Sequence, residues 1–338
     1  MELIVAPGIP TSPARVDAPE REPLRVALVQ HRWHDDAPRL AAELTDAIGR
    51  AARAGAQVVF LSEITLLRYP AFERGGAQPS ALAEDLLTGP TFAFAAAAAK
   101  EHGVVVHASL YERHPDAEPL GYNTAIMVSP SGELLARTRK LHIPVTAGYY
   151  EDTYFLRGPA QADGAEPYPV HAPAELGGAR FGLPTCWDEW FPEVARAYSL
   201  GGADVIAYPT AIGSEPDHPD FDTAPLWRQV IVGNGISSGT FMVVPNRWGN
   251  EGAITFYGSS FISDPYGRIL VEAPRDASAV LVADLDLDQR RDWLTLFPFL
   301  ATRRPDTYGA LVEGVEVNGP LGGPLGGPLG GPLGGGAR

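Results

Sequence analysis

The sequence predicts an α/β protein in which helices cover a mixed sheet. Three observations carry this: short apolar runs alternate with helical runs from residue 25 onward, two hairpin signals interrupt them, and no linker divides the region. Arg25–Gln30 reads as a buried strand, and Asp36–Ala54 as an amphipathic helix with Leu40, Leu44, Ile48 and Ala52 four apart, stopped by Gly55. Ala56–Leu61 is a second strand run. Thr91–His102 is alanine-rich and helical, and Val104–Tyr111 is extended. Thr124–Val128 and Leu134–Arg137 flank a Ser-Pro-Ser-Gly turn and form the first hairpin. The second half repeats the alternation: strand Arg180–Leu183, helix Pro192–Leu200, strand Val205–Tyr208, helix Leu226–Ile236, strand Phe241–Val244. A hairpin over Ser260–Glu272, turning at Asp264–Gly267, and a strand at Ala279–Leu285 close the set.

Both ends differ from this middle. Residues 1–24 hold five prolines and alternate charge with small residues, which reads as a disordered arm. Residues 318–338 carry four Pro-Leu-Gly-Gly repeats, whose period of four excludes a collagen helix and whose composition reads as a flexible tail. One globular domain over 25–317 remains. Twenty-six basic against 41 acidic residues give a net charge of −15 in 338 residues, which argues against nucleic-acid or anionic-membrane partners. No apolar run reaches the length of a membrane span, and residues 1–24 lack the basic start and apolar length of a signal peptide. A single cysteine allows no intrachain disulfide and no cysteine-rich metal cage. A cytoplasmic location is the expectation.

Glu63, Lys140 and Cys186 each follow the C-terminal end of an expected strand, where open α/β sheets frame their crevices. Their chemistry is complementary: a carboxylate can take the thiol proton, and an ammonium can hold the oxyanion formed when a thiolate attacks a carbonyl. Position alone leaves blander readings open, namely a buried small apolar cysteine, a solvated glutamate and a surface lysine.

The surrounding residues narrow the choice. Cys186-Trp-Asp-Glu-Trp-Phe-Pro-Glu193 resembles the nucleophile motif of the nitrilase superfamily, the carbon–nitrogen hydrolases. Leu61-Ser-Glu63, Arg139-Lys-Leu-His-Ile-Pro144 and Tyr149-Tyr-Glu151 resemble its glutamate, lysine and second-glutamate motifs, and Asn123, Asn246–Gly249 and Gly258–Pro265 look like further landmarks. The likeness extends over about residues 25–287. It implies a four-layer α-β-β-α sandwich, a homo-oligomer, and no metal or organic cofactor. The wording of the nucleophile motif, Gly148–Glu151 and Tyr208–Pro216 is similar to the branch acting on N-carbamoyl amines. Gly233-Asn-Gly-Ile-Ser-Ser238 departs from that branch at Asn234 and Ser238, as does Pro184-Thr185 before the nucleophile.

The resemblance implies a covalent route. Glu63 deprotonates Cys186, the thiolate attacks an amide or ureido carbon, Lys140 and a backbone N–H near Trp187 hold the oxyanion, and Glu151 orients Lys140 or the substrate nitrogen. Expected substrate contacts are Tyr150, Trp187, Asp188, Trp190 and Glu215, the last within Ser214–Asp222, whose four carboxylates could draw a cationic tail. The partner is then a small amide or ureido compound. An amidase, an N-carbamoyl amino acid hydrolase, a nitrilase, and a non-catalytic binding protein on the same fold stay open as alternatives. Gly235-Ile-Ser-Ser-Gly239 fits Gly-x-Ser-x-Gly only formally, since a helix precedes it and no histidine follows His218. His31 and His34 read as a loop pair, and His142 as a packing residue.

Overall fold

The computed structural model describes residues 1–116, 119–159 and 166–312. Its main unit, Met1–Pro298, is built on two sheets. The first sheet draws on β1 (Glu2–Val5), β2 (Leu24–Gln30), β3 (Val58–Phe60), β4 (Val105–Glu112), β5 (Tyr122–Val128) and β6 (Leu134–Arg139). Short strands β7 (Val145–Thr146) and β8 (Tyr149–Tyr150) pair apart from it. The second sheet uses β9 (Val170–His171), β10 (Phe181–Gly182), β11 (Val205–Ala207) and β12 (Phe241–Val244). After the separate hairpin β13 (Trp248–Asn250) and β14 (Thr255–Tyr257) come β15 (Phe261–Ser263) and β16 (Ile269–Glu272), which join the second sheet. The last strand, β17 (Ala279–Leu285), returns to the first. The orders are β1-β17-β2-β3-β4-β5-β6 and β16-β15-β12-β11-β10-β9.

The sheets pack face to face. Val26, Leu28, Phe60 and Met127 of one meet Phe181, Val205, Phe241 and Ile262 of the other in a core closed to solvent. The outer face of the first sheet is covered by α1 (Ala37–Arg53) and α2 (Pro90–His102), through Leu40, Leu44, Ile48 and Ala95. The outer face of the second is covered by α3 (Pro192–Leu200) and α4 (Ala224–Ser238), through Val194, Tyr198, Trp227 and Ile231. This is the four-layer α-β-β-α sandwich. Asp36 caps α1 by accepting the Arg39 N–H at 3.0 Å, where the sequence placed the helix start.

The amino-terminal arm corrects the expectation of disorder. Its strand β1 adds to the edge of the first sheet, parallel to β17, with Glu2 opposite Ala279 and Val5 opposite Val282. Arg15 then pairs with Asp286 and Asp292 at 2.7 and 2.8 Å, and Arg21 with Asp204 and Asp288 at 3.0 and 2.9 Å. Proline content and local charge could not reveal this, because every partner lies more than 180 residues away in sequence. Asp288 and Asp292 belong to α5 (Asp288–Leu296), a helix the sequence reading did not place.

The main unit closes at Pro298, short of the expected boundary at 317. The second unit begins at Phe299, and its described part holds a 3-10 turn at Pro305–Thr307 and one helical turn, α6, at Gly309–Val312. The Pro-Leu-Gly-Gly repeats lie outside the described residues. Among the described residues no helix is long and apolar enough to cross a membrane.

Candidate active site

Glu63 stands three residues beyond β3, followed by Ile64 at φ 47°. That left-handed residue is held by the Arg247 guanidinium, which donates to the carbonyls of Glu63 and Ile64 at 2.8 Å each. The Glu63 carboxylate is wholly buried. Its Oε1 accepts from Asn123 Nδ2 at 2.7 Å and from Lys140 Nζ at 3.0 Å, while Oε2 has no hydrogen-bond partner. One oxygen is fixed and the other is left available to a proton.

Lys140 immediately follows β6, and its N–H donates to the Asn123 carbonyl at 2.8 Å. Its ammonium is bound to Glu63 and, at 2.7 Å, to Glu151 Oε2. Burial works to neutralise Lys140, but the charges of Glu151 and Glu63 outweigh it and hold the ammonium well above the ordinary lysine range. Glu151 opens a 3-10 turn after β8 and also accepts from the Tyr69 hydroxyl at 2.9 Å. Burial pushes the Glu151 carboxyl up to about 7 against the pull of Lys140, with the Glu63 charge adding to the rise. Tyr69 carries no motif that sequence reading could have singled out.

Cys186 begins a 3-10 turn, Cys186–Trp190, and has φ 43°. Its N–H donates to the Pro209 carbonyl at 3.0 Å, which ties the turn to the end of β11. A non-glycine residue held left-handed at a strand end is strained, and here the strain serves to aim the thiol into a cavity. Burial, then the Glu63 charge, pushes the thiol well above its ordinary range, while Lys140 lowers it. A proton acceptor is therefore needed before Cys186 can act as a nucleophile.

Asp188 binds the turn together and to the lysine loop. Its Oδ2 accepts the Thr185 N–H at 3.0 Å, and its Oδ1 accepts the His142 N–H at 3.0 Å and lies 2.7 Å from His142 Nδ1. The His142 ring stacks on Phe191 with centroids 3.8 Å apart. From α4, Asn234 Nδ2 donates to the Glu189 carbonyl at 2.9 Å. Asn234 therefore braces the nucleophile turn from behind, and Ser238, which accepts from Ser199 and Arg290 through its carbonyl, lies deeper in the helix layer.

The cavity has a volume of about 180 Å³ and is walled by Cys186, Glu151, Tyr149, Trp187, Trp190, Ile212 and Glu215, among others. Two expected substrate contacts are corrected. Tyr150 does not line it, because alternation along β8 turns Tyr149 inward and leaves Tyr150 under the Arg74 guanidinium at 4.4 Å. Asp188 does not line it either, because both its oxygens are engaged as above. Of the four carboxylates in Ser214–Asp222, Glu215 alone reaches the cavity; Asp217 and Asp220 are exposed, and Asp222 pairs with Arg275 at 2.7 Å. The Tyr149 hydroxyl accepts the Gly213 N–H at 3.0 Å and donates to the Ser214 carbonyl at 3.3 Å, fixing Glu215's segment. Gly148, at φ 77°, sits so close to Pro216 that an added Cβ would lie 2.6 Å from its Cγ, so the β7–β8 hairpin closes directly over that segment. Burial raises the Glu215 carboxyl, opposed by the Thr223 hydroxyl 3.4 Å away. No lysine, arginine or histidine lines the cavity among the described residues, and none of their acidic, histidine and cysteine side chains gather into a metal-holding group.

Comparison with known proteins shows the family of the chain. A family model described as Carbon-nitrogen hydrolase matches residues 25–294. The chain is 33% identical to a citrullinase of Francisella tularensis, over 86% of this chain and 98% of that one. It is 34% identical to an N-carbamoylputrescine amidase of Solanum tuberosum, over 85% and 94%. Among solved structures, a carbon-nitrogen hydrolase from Helicobacter pylori G27 superposes with a TM-score of 0.76 at 27% identity, over 86% of this chain and 99% of that one.

Proposed function

The chain belongs to the carbon–nitrogen hydrolase family of the nitrilase superfamily and is an amidohydrolase; from that premise we propose that it hydrolyses an N-carbamoyl amine with a cationic tail through a covalent Cys186 intermediate. The observation that carries the reading is one cavity lined by Cys186 and by a single acidic side chain, Glu215, outside the lysine-linked cluster.

The free Glu63 Oε2 takes the Cys186 proton, and the thiolate attacks the ureido carbon. The tetrahedral oxyanion is met by the Trp187 N–H, which lies in the first turn of the 3-10 segment and has no partner within it, and is stabilised by the charge of Lys140, held behind the Glu151 wall of the cavity. Glu63 returns its proton to the departing nitrogen as the carbon–nitrogen bond breaks, leaving a thiol ester of carbamic acid on Cys186. Glu63 then removes a proton from water, which attacks the same carbon and restores the thiol. The released carbamate decomposes, so that each turnover yields the amine, ammonia and carbon dioxide. Glu151 and Tyr69 keep Lys140 oriented throughout.

Two named relatives act, by their names, on ureido compounds whose tails differ. An amino-acid tail brings a carboxylate, which needs a cation to meet it. The cavity wall offers Glu215 instead, and the walls of Trp187, Trp190 and Ile212 suit an aliphatic spacer. An alkylammonium tail fits both features. Ammonia release from N-carbamoylputrescine, citrulline, N-carbamoyl amino acids, aliphatic amides and a nitrile tests this. The reading requires the cationic ureido amine to be the fastest by kcat/KM; preference for citrulline or for a nitrile contradicts it.

A further inference from the structure

Glu189 lies three residues after Cys186 in the same 3-10 turn, the spacing at which side chains of such a turn lie over one another. It is completely buried, and neither carboxyl oxygen has a hydrogen-bond partner. Lys140, a buried cation near it, is already shared by Glu63 and Glu151. Around Glu189 stand Trp227 of α4, Tyr208 at the end of β11 and Tyr257 of β14, whose polar atoms are likewise unpartnered. With no cation of its own, and with the Trp227 side chain opposing the burial only in part, this carboxyl keeps its proton.

We propose that Glu189 is a positioning residue for the nucleophile: a polar but uncharged carboxylic acid behind Cys186 that leaves the negative charge exchanged between Glu63 and Cys186 uncontested. The charged or titratable groups around it are Glu63 after β3, Lys140 after β6, Cys186 and Asp188 on its own turn, Tyr208 and Tyr257. Three acids thus surround one lysine, and the site tolerates a thiolate only while at least one of them stays neutral. Burial, followed by the Glu63 charge, favours the protonated form of Glu189, in agreement with the geometry. The Asn234 contact to the Glu189 carbonyl keeps the residue in place without touching its carboxyl.

The proposal rests on Cys186 being the nucleophile, but its test does not need the substrate. The chain has one cysteine, so iodoacetamide alkylation followed by intact mass reports Cys186 alone. The pH dependence of that rate is compared for wild type, Glu189→Gln and Glu189→Leu, with kcat/KM measured on whichever ureido compound is hydrolysed. Glu189→Leu removes the polar group, and its alkylation midpoint rises by about one pH unit or more while its KM stays within about threefold. Glu189→Gln, uncharged and of the same shape, restores the midpoint to within about 0.3 unit of wild type. A midpoint in Glu189→Gln that falls by about one unit shows a charged Glu189 in the wild type and overturns the proposal. So does a Glu189→Leu profile that coincides with wild type. If Glu189→Leu does not fold, the Glu189→Gln midpoint decides alone. Failure of every ureido substrate refutes the proposed function and leaves the alkylation result standing.

Discussion

Asp188 and His142 join the nucleophile to the lysine: one carboxylate oxygen lies 2.7 Å from His142 Nδ1 and accepts the same residue's N–H, two positions after Lys140 and two after Cys186. The other oxygen caps the turn that carries the thiol. Together with the Arg247 hold on the Glu63 and Ile64 carbonyls, the Asp188 side chain sets the two halves of the site, on different sheets, relative to each other. Asp188→Ala is expected to lose about 2–3 kcal/mol of stability, as a lost cap and a lost buried acceptor together. Its kcat is expected to fall at least about tenfold with little change in KM. Denaturant unfolding and steady-state kinetics on the same preparation check both.

Glu215, on the cavity wall, is the group proposed to select the substrate's tail. Glu215→Gln keeps the shape and removes the charge, so kcat/KM for a cationic ureido amine is expected to fall about 10- to 150-fold, the value of one charge-assisted contact. A neutral N-carbamoyl alkylamine of equal length should change by less than about threefold. Equal losses on both compounds would remove Glu215 from the role.

Arg247 and Glu251 form a buried pair at 2.9 Å, and Arg247 also holds the main chain at Glu63. Arg247→Met strands a buried carboxylate and should cost about 3–5 kcal/mol. Adding Glu251→Met should recover much of that stability without recovering activity, because the carbonyls of Glu63 and Ile64 remain unheld. The unfolding midpoint and kcat are thus predicted to separate in the double variant.

His31 and His107 are completely buried, and burial lowers each to about 3. Both stay neutral in the folded chain while the unfolded chain protonates near 6.5, so the stability they contribute is present above that pH and is lost as pH falls toward 3. By pH 5 the loss is about 2 kcal/mol per histidine. Glu151 slopes the opposite way, since its folded carboxyl holds a proton up to about 7. Comparison with His107→Leu cancels that contribution: between pH 7 and pH 5 the variant should lose about 2 kcal/mol less than wild type in urea unfolding.

Much of this site was legible in the sequence because its main residues follow strand ends and carry distinctive neighbours. The positions of Glu63, Lys140, Glu151 and Cys186 came from that pattern, and the structure brings their side chains together. Trp187, Trp190 and Glu215, expected as substrate contacts, line the cavity. Tyr149 and Tyr150 could not be told apart, because in a two-residue strand the inward side depends on pairing with Val145 and Thr146 rather than on composition. Asp188 looked like a ligand group because an acid beside a nucleophile is ambiguous until its partners are known. Tyr69 and Arg247 act through contacts 82 and 184 residues distant, which no local pattern encodes. The strand β1 and the arginines of the arm were hidden for the same reason. Asn234, whose departure from the related branch cast doubt on the substrate, braces the nucleophile turn and does not line the cavity.

The central claim is that Cys186 carries the reaction. Ammonia release by Cys186→Ala, measured against wild type on the best ureido substrate with folding verified by thermal denaturation, tests it most directly. Replacing one buried sulfur should cost at most about 2 kcal/mol, so the variant is expected to fold and to be slower by about 10⁴-fold or more. A folded Cys186→Ala that releases ammonia within about tenfold of the wild-type rate would contradict the covalent mechanism.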